Sequence, residues 1–334
     1  MIEDVLITKE ELELVPGNKN LEDNVNALLS QQKKTWDLCN EGYKSLQTVK
    51  IKNFGFDGFS IKVQFNHGRI ISSSAKVDEK SINSRECFLC YNHLPEKQKG
   101  LLFQKRFLIL CNPYPIFNKH FTIASTEHLP QLIEDTFDIP LDLSIELGEN
   151  FTVFYNGPKC GASAPDHLHF QAGDKFFMPI DSEYEKIKTV LGEKIVENKE
   201  LKIYAVDNYL RKFFSFESGD REILNRTFEK FYSIFEKVSV QGEEPMMNIL
   251  FSYKNEKWIV IIFPRSKHRP SQYFEEGENN ILISPAGIDL GGVLITPLEK
   301  DFNKLTKDII INIYRQVTIT TEYFEFIKKS LILE

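Results

Sequence analysis

The segment from Asn156 to Gln171 closes with Gly161-Ala162-Ser163-Ala164-Pro165-Asp166-His167-Leu168-His169-Phe170-Gln171, and this run limits the local fold more tightly than any other part of the chain. Side chains on an extended strand alternate between its two faces. A strand over residues 167–171 therefore turns His167, His169 and Gln171 to one side, and Leu168 and Phe170 to the other. The small residues before it, with Gly157 and Gly161, specify an irregular loop whose backbone can approach an anion closely. Polar row, apolar back and leading loop together suit an antiparallel sheet covered on one face.

These residue types also carry chemistry. A neutral imidazole is a competent nucleophile near pH 7, because its unperturbed pKa of about 6.5 leaves much of it unprotonated. Backbone N–H groups of Cys160-Gly161-Ala162-Ser163, the Ser163 hydroxyl and the Lys159 ammonium form a candidate phosphate cradle. An isolated His-x-His would mark only the solvent face of a sheet; the loop and Gln171 set this one apart.

On these residues the chain resembles the transferase branch of the histidine-triad superfamily, which includes galactose-1-phosphate uridylyltransferase, diadenosine tetraphosphate phosphorylase and GDP-L-galactose phosphorylase. The resemblance implies that His169 attacks an α-phosphorus to give a nucleotidyl-histidine intermediate, later resolved by phosphate or a sugar phosphate. Hydrolases of the superfamily carry a third histidine where this chain has Gln171; the glutamine implies transfer, with Gln171 and Ser163 orienting phosphoryl oxygens. The expected function is a nucleotidyltransferase or phosphorylase acting on a nucleoside diphosphate-sugar or a dinucleoside polyphosphate. Two alternatives stay open: a hydrolase of nucleotide conjugates, and a non-catalytic nucleotide-binding protein on the same scaffold.

Residues 106–125 read as two strands around Asn112-Pro113-Tyr114-Pro115, since the prolines interrupt pairing. Asn112, Tyr114 and Pro115 match the turn of the same superfamily, which places Asn112 at the nucleotide together with Gly161 and Ala162. Pro113 stands where relatives often carry an acidic ribose contact.

Cys87-Phe88-Leu89-Cys90 supplies two thiolates, half of a tetrahedral zinc site. The pair alone is equally a reduced thiol pair or a redox pair. The resemblance implies a structural zinc completed by His128 and His167, with His120 as the rival to His128.

At 334 residues, 42% hydrophobic and 27% charged, the chain has ample material for a large core. A net charge of −7 argues against general nucleic-acid binding. The sequence predicts no membrane span, and its five cysteines, an odd number without a regular framework, suit a reducing, cytoplasmic compartment. Periodicity predicts a helix over 21–46, a hairpin around Asn66-His67-Gly68-Arg69, a helix near 220–238 with Ile223 and Val238 inward, and another near 299–319. Lys257 to Pro264 echoes Arg106 to Pro113, an aliphatic run ending in proline. Arg265, Lys267, His268 and Arg269 follow it as either a phosphate-gripping patch, with Arg265 the chosen contact, or a solvated charge run. The fold expected is α+β: two histidine-triad-like lobes, each an antiparallel sheet with packed helices, catalytic over 1–180 and degenerate over 200–334, meeting across the charged stretch Asp181 to Glu200.

Overall fold

Aliphatic and aromatic runs from both halves of the chain build one continuous sheet in the computed structural model, which describes residues 2–12, 20–70 and 77–333. The first half contributes β3 (Gly100–Phe103), β4 (Phe107–Cys111), β5 (His120–Ser125), β6 (Phe151–Asn156) and β7 (His169–Asp174). The second contributes β8 (Gly192–Glu197), β9 (Leu201–Val206), β10 (Phe213–Ser218), β11 (Met247–Lys254) and β12 (Lys257–Pro264). The ten strands pair antiparallel in the order β3-β4-β5-β7-β6-β11-β12-β10-β9-β8. Each half thus follows the same strand order, and the two fourth strands, β6 and β11, join at the centre through pairs such as Leu250 with Phe154.

Alternation sends strand residues to two cores. Val153, Tyr155, Phe170, Phe214 and Val260 meet helices Leu21–Thr35, Arg221–Glu236 and Thr321–Leu333 on one face. Phe154, Phe213, Leu250 and Ile261 meet helices Pro179–Val190 and Lys307–Val317 on the other. Burial of each large apolar side chain contributes about 2 kcal/mol. Asp220 caps helix Arg221–Glu236 by accepting from the Ile223 amide, and the Phe228 ring stacks on Phe137 at 3.9 Å between centroids. On the second face, β1 (Lys50–Gly55), β2 (Ser60–Phe65) and β13 (Val293–Thr296) form a small sheet in which β13 runs parallel to β2. A strand from the second half therefore completes a sheet begun in the first.

Several expectations need correction. Two separate sheets are replaced by one, because β6 and β11 present matching unpaired edges. The charged stretch Asp181 to Glu200, read as the boundary between the halves, is ordered: helix Pro179–Val190 buries Ile180, Tyr184 and Ile187 and leads into edge strand β8. The helix over 21–46 breaks at Trp36, whose extended backbone (φ −121°, ψ 103°) separates Leu21–Thr35 from Asp37–Ser45 and leaves its indole buried. The hairpin lies upstream, pairing β1 with β2, while His67–Arg69 is a single helical turn and Ile70, where the strand was expected to resume, closes that turn with helical backbone (φ −56°, ψ −41°); residues 71–76 lie outside the described ones. Leu224 takes the inward position assigned to Ile223, and the helix near 299–319 is two helices, restarted by the Thr306 cap. The echo pairs the wrong strands: by strand order β12 matches β7, not β4. Among the described residues no helix is long and apolar enough to cross a membrane.

Candidate functional site

Ladder register puts Gln171 directly opposite Phe154, so Gln171 and, two residues back, His169 share the face that carries the small sheet. Both line a cleft of about 400 Å³, within the range of small-molecule sites. His169 Nδ1 lies 2.8 Å from the His167 carbonyl oxygen. A carbonyl only accepts, so Nδ1 holds the proton and Nε2 keeps its lone pair. Burial pushes the His169 imidazole down to about 4, against the opposing pull of that hydrogen bond. The ring is neutral at pH 7.

Gln171 is set by His120, which the sequence offered only as a rival metal ligand. His120 Nδ1 accepts from the Ile116 amide at 3.3 Å, so His120 Nε2 carries the proton and donates to Gln171 Oε1 at 2.9 Å. Burial, with help from nearby Arg69, pushes His120 down to about 3 and keeps it neutral. With its oxygen committed, Gln171 keeps its N–H groups as donors at the cleft. Thr122 is the ladder partner of Gln171, so His120 is its diagonal neighbour. The alternation His120-Phe121-Thr122 was the available signal.

Gly161, Ala162 and Ser163 line the cleft beside Asn112, whose Oδ1 accepts from the Tyr114 amide at 2.9 Å. Gly161 has φ +93°, and a Cβ there would stand 2.5 Å from Ala286 Cβ, so any other residue strains the backbone and displaces Ala286. The second half holds this loop in place. Asn248 Nδ2 donates to the Cys160 carbonyl at 2.7 Å and to Asn156 Oδ1 at 2.8 Å, and the same Oδ1 accepts from the Gly287 amide.

Two expected phosphate contacts are not brought here. Lys159 pairs with Glu243 at 2.6 Å on the surface and faces a neighbouring groove. Arg265 is buried and commits all five N–H donors: to Asn248 Oδ1 and to the carbonyls of Val317, Pro285, Lys267 and His268. No donor remains for a phosphate. The cations lining the cleft are instead Arg69 and Arg269. Arg69 donates to the Tyr114 carbonyl at 2.7 Å; burial draws it down to about 10, still cationic at neutral pH. Arg269 donates to Ser284 Oγ at 3.0 Å and stacks over the Tyr273 ring. From the cluster 265–269 the sequence reading chose Arg265, which supports the loop, whereas Arg269 is the one at the cleft.

Beside the cleft, Cys87, Cys90, His128 and His167 bring one ligand atom each to within 4.8 Å of one another. His167 Nδ1 lies 3.3 Å from Cys87 Sγ and 3.5 Å from Cys90 Sγ, and His128 Nδ1 lies 3.2 Å from Cys90 Sγ. Tetrahedral zinc with nitrogen and sulfur ligands holds its donor atoms roughly 3.3–3.8 Å apart, so the four fit such an ion. His167 Nε2 donates to the Ser125 carbonyl at 2.9 Å, fixing the ring as a metal-binding histidine requires. His120, committed to Gln171, is not part of the cluster. Asp166 supports it from outside, pairing with Arg85 and approaching His128 Nε2 at 3.9 Å.

Residues 28–174 match the family described as domain of unknown function DUF4922, and residues 182–334 match the family described as GDPGP1-like, C-terminal domain. The division falls where helix Pro179–Val190 begins. No curated protein matches the chain. Among solved structures, yeast Ap4A phosphorylase Apa2 in complex with AMP is similar at a TM-score of 0.56 and 16% identity, covering 87% of this chain and 96% of that one. The same enzyme in complex with Ap4A gives 0.52 and 14%, covering 85% and 97%.

Proposed function

Given that this chain has the fold of the histidine-triad transferase branch, we propose that it is a nucleotidyltransferase or phosphorylase acting on a nucleoside diphosphate-sugar or dinucleoside polyphosphate. One observation carries the reading: His169 is neutral, its Nδ1 proton is given to the His167 carbonyl, and its Nε2 lone pair lies in a cleft shared with Gln171 and the Gly161 loop.

In the first step Nε2 forms a bond to the α-phosphorus as the bond from that phosphorus to the leaving phosphate oxygen breaks; the departing polyphosphate or sugar phosphate takes the electron pair. The imidazole becomes cationic, and the Nδ1–H bond to the His167 carbonyl stabilises that charge. Gln171 N–H groups and the Ser163 hydroxyl hold the non-bridging oxygens, with Arg69 and Arg269 balancing charge at the cleft wall. In the second step an oxygen of phosphate or a sugar phosphate attacks the same phosphorus, the Nε2–P bond breaks, and the ring returns to neutrality. We assign Cys87, Cys90, His128 and His167 to a closed zinc site. Bound zinc would act structurally, holding the Cys87–Cys90 turn against the start of β7 with no open position for substrate. The second half, matched to the first in strand order but without His-x-His, reads as a pseudo-repeat whose counterpart of β7, β12, carries core residues in place of the histidines.

The test is intact-protein mass spectrometry after mixing with ADP-, GDP- and UDP-sugars and dinucleoside polyphosphates. A nucleotidyl adduct that disappears on adding phosphate or hexose phosphate, with the corresponding new nucleotide formed, is expected. Product whose identity ignores either acceptor would convert the reading to hydrolysis. Tight binding without adduct or turnover would convert it to a binding protein.

A further inference from the structure

On the β5 side, β7 is paired as far as Ala124 with His169, whereas on the β6 side its ladder ends at Phe154 with Gln171. Tyr155 and Asn156 continue β6 toward β11, leaving the backbone of His169 without a strand partner on that side. Gln131, wholly buried, fills the gap with its side chain. Its Oε1 accepts from the His169 amide at 2.7 Å, and its Nε2 donates both to the His169 carbonyl at 2.9 Å and to the Asn156 carbonyl at 3.0 Å.

We propose that Gln131 is a positioning residue for His169, a primary amide standing in for the missing stretch of strand. The inference rests on the reading of His169 as nucleophile and adds the element that fixes it. A primary amide is the one uncharged side-chain group that offers an acceptor and two donors together, matching the amide and carbonyls exposed where two strands diverge. Leaving those groups unpaired in the interior would be strongly unfavourable, so the splayed strands require such an insert. Splaying in turn gives residues 157–168 the room to form the loop at the cleft.

The insert is held from the second half of the chain. The Tyr155 hydroxyl lies 3.1 Å from the Gln131 carbonyl and 2.6 Å from Glu244 Oε1, and Glu244 Oε2 accepts from the Ile133 amide at 2.6 Å. Glu244 thereby holds Ile133 directly and Gln131 through the Tyr155 hydroxyl, so the segment carrying the insert is fixed by a carboxylate just ahead of β11. None of these three side chains touches the cleft, so their effect on chemistry is through the placement of the ring.

Single-turnover formation of the nucleotidyl adduct in Gln131→Leu tests this. A folded variant is expected to form adduct at least a hundredfold more slowly, with KM within threefold of wild type and metal content unchanged. Adduct formation within threefold of wild type, or a loss confined to KM, would overturn the assignment. Should Gln131→Leu fail to fold, Tyr155→Phe, which removes the hydroxyl from the Gln131 carbonyl, is expected to slow adduct formation three- to tenfold; an unchanged rate refutes the support from Tyr155. Hydrogen exchange at the His169 amide provides a readout independent of chemistry: protected in wild type, it should exchange rapidly in Gln131→Leu, and persistent protection would refute the insert. Wild type that forms no adduct with any nucleotide conjugate breaks the functional reading alone, and the exchange measurement then still decides the role of Gln131.

Discussion

The two halves of the sheet share a strand order but differ at one junction, between the fourth and fifth strands. In the second half, Asn255 and Glu256 turn β11 straight into β12 with φ of 50° and 58°, and the ladder stays paired to Lys254 with Lys257. In the first half, residues 157–168 intervene, and the ladder between β6 and β7 stops at Phe154 with Gln171. The tight turn satisfies every backbone group locally and yields a strand whose side chains, such as Trp258, Val260 and Ile262, serve only the core. The open junction leaves amides and carbonyls to be met by Gln131, Asn248 and the Gly161 loop. A strand pair that closes completely makes structure; one that parts near its end makes room for a ligand.

The largest effect separates the matching strands. His169→Ala should lower kcat by on the order of 10⁴-fold or more and abolish the adduct, with melting temperature little changed. Ile262→Ala, on the matching strand β12, should instead remove about 2–5 kcal/mol of stability while leaving kcat per folded molecule intact. Urea titration beside steady-state kinetics separates the two; a large kcat loss in folded Ile262→Ala would break the division of labour.

Metal removal probes what holds the open junction from outside. Chelation, or Cys90→Ser, should release about one equivalent of zinc and lower the melting temperature by roughly 5–10 °C. Elemental analysis finding no metal in wild type, with no response to chelator, would sink the zinc assignment. Gly161→Ala tests the loop, where the new methyl meets Ala286 at a left-handed backbone position; adduct formation should slow about 10- to 100-fold, with partial recovery in the double variant that adds Ala286→Gly. Equal rates in both would show that this contact does not set the loop. Smallest of all, Glu256→Gly in the tight turn should add about 0.5–1 kcal/mol of stability with kcat unchanged, and a fall in kcat would mean that the closed junction reaches the chemistry.

The sequence made the strand-forming runs, the long helix at 221–236 and the shared face of His169 and Gln171 readable, because each depends on local periodicity; the strand expected over 167–171 begins only at His169, and His167, in the bend before it, turns to Cys87 and Cys90 instead of the cleft. The metal cluster was foreseeable from Cys87 and Cys90 and the superfamily spacing of His128 and His167. Other features were settled by contacts distant in sequence. Asn156 and Asn248, 92 positions apart, hydrogen-bond where β6 meets β11, so two expected lobes became one sheet. Arg265 and Arg269 have the same local character, and only the carbonyls around Arg265 show which one is spent on the fold. Gln131 had no motif at all. Its meaning arises from the place where two strands part, which a linear pattern does not record.

The parallel pairing of β13 with β2 has a consequence for the order in which the molecule matures. As the ribosome extends the chain, His169 and its loop emerge well before residues 284–296, which supply the opposite wall of the cleft and the third strand of the small sheet. A chain extended only that far therefore holds His169 and its loop without the residues that face them across the cleft. The cleft is walled only once residues 284–296 have threaded back against β2.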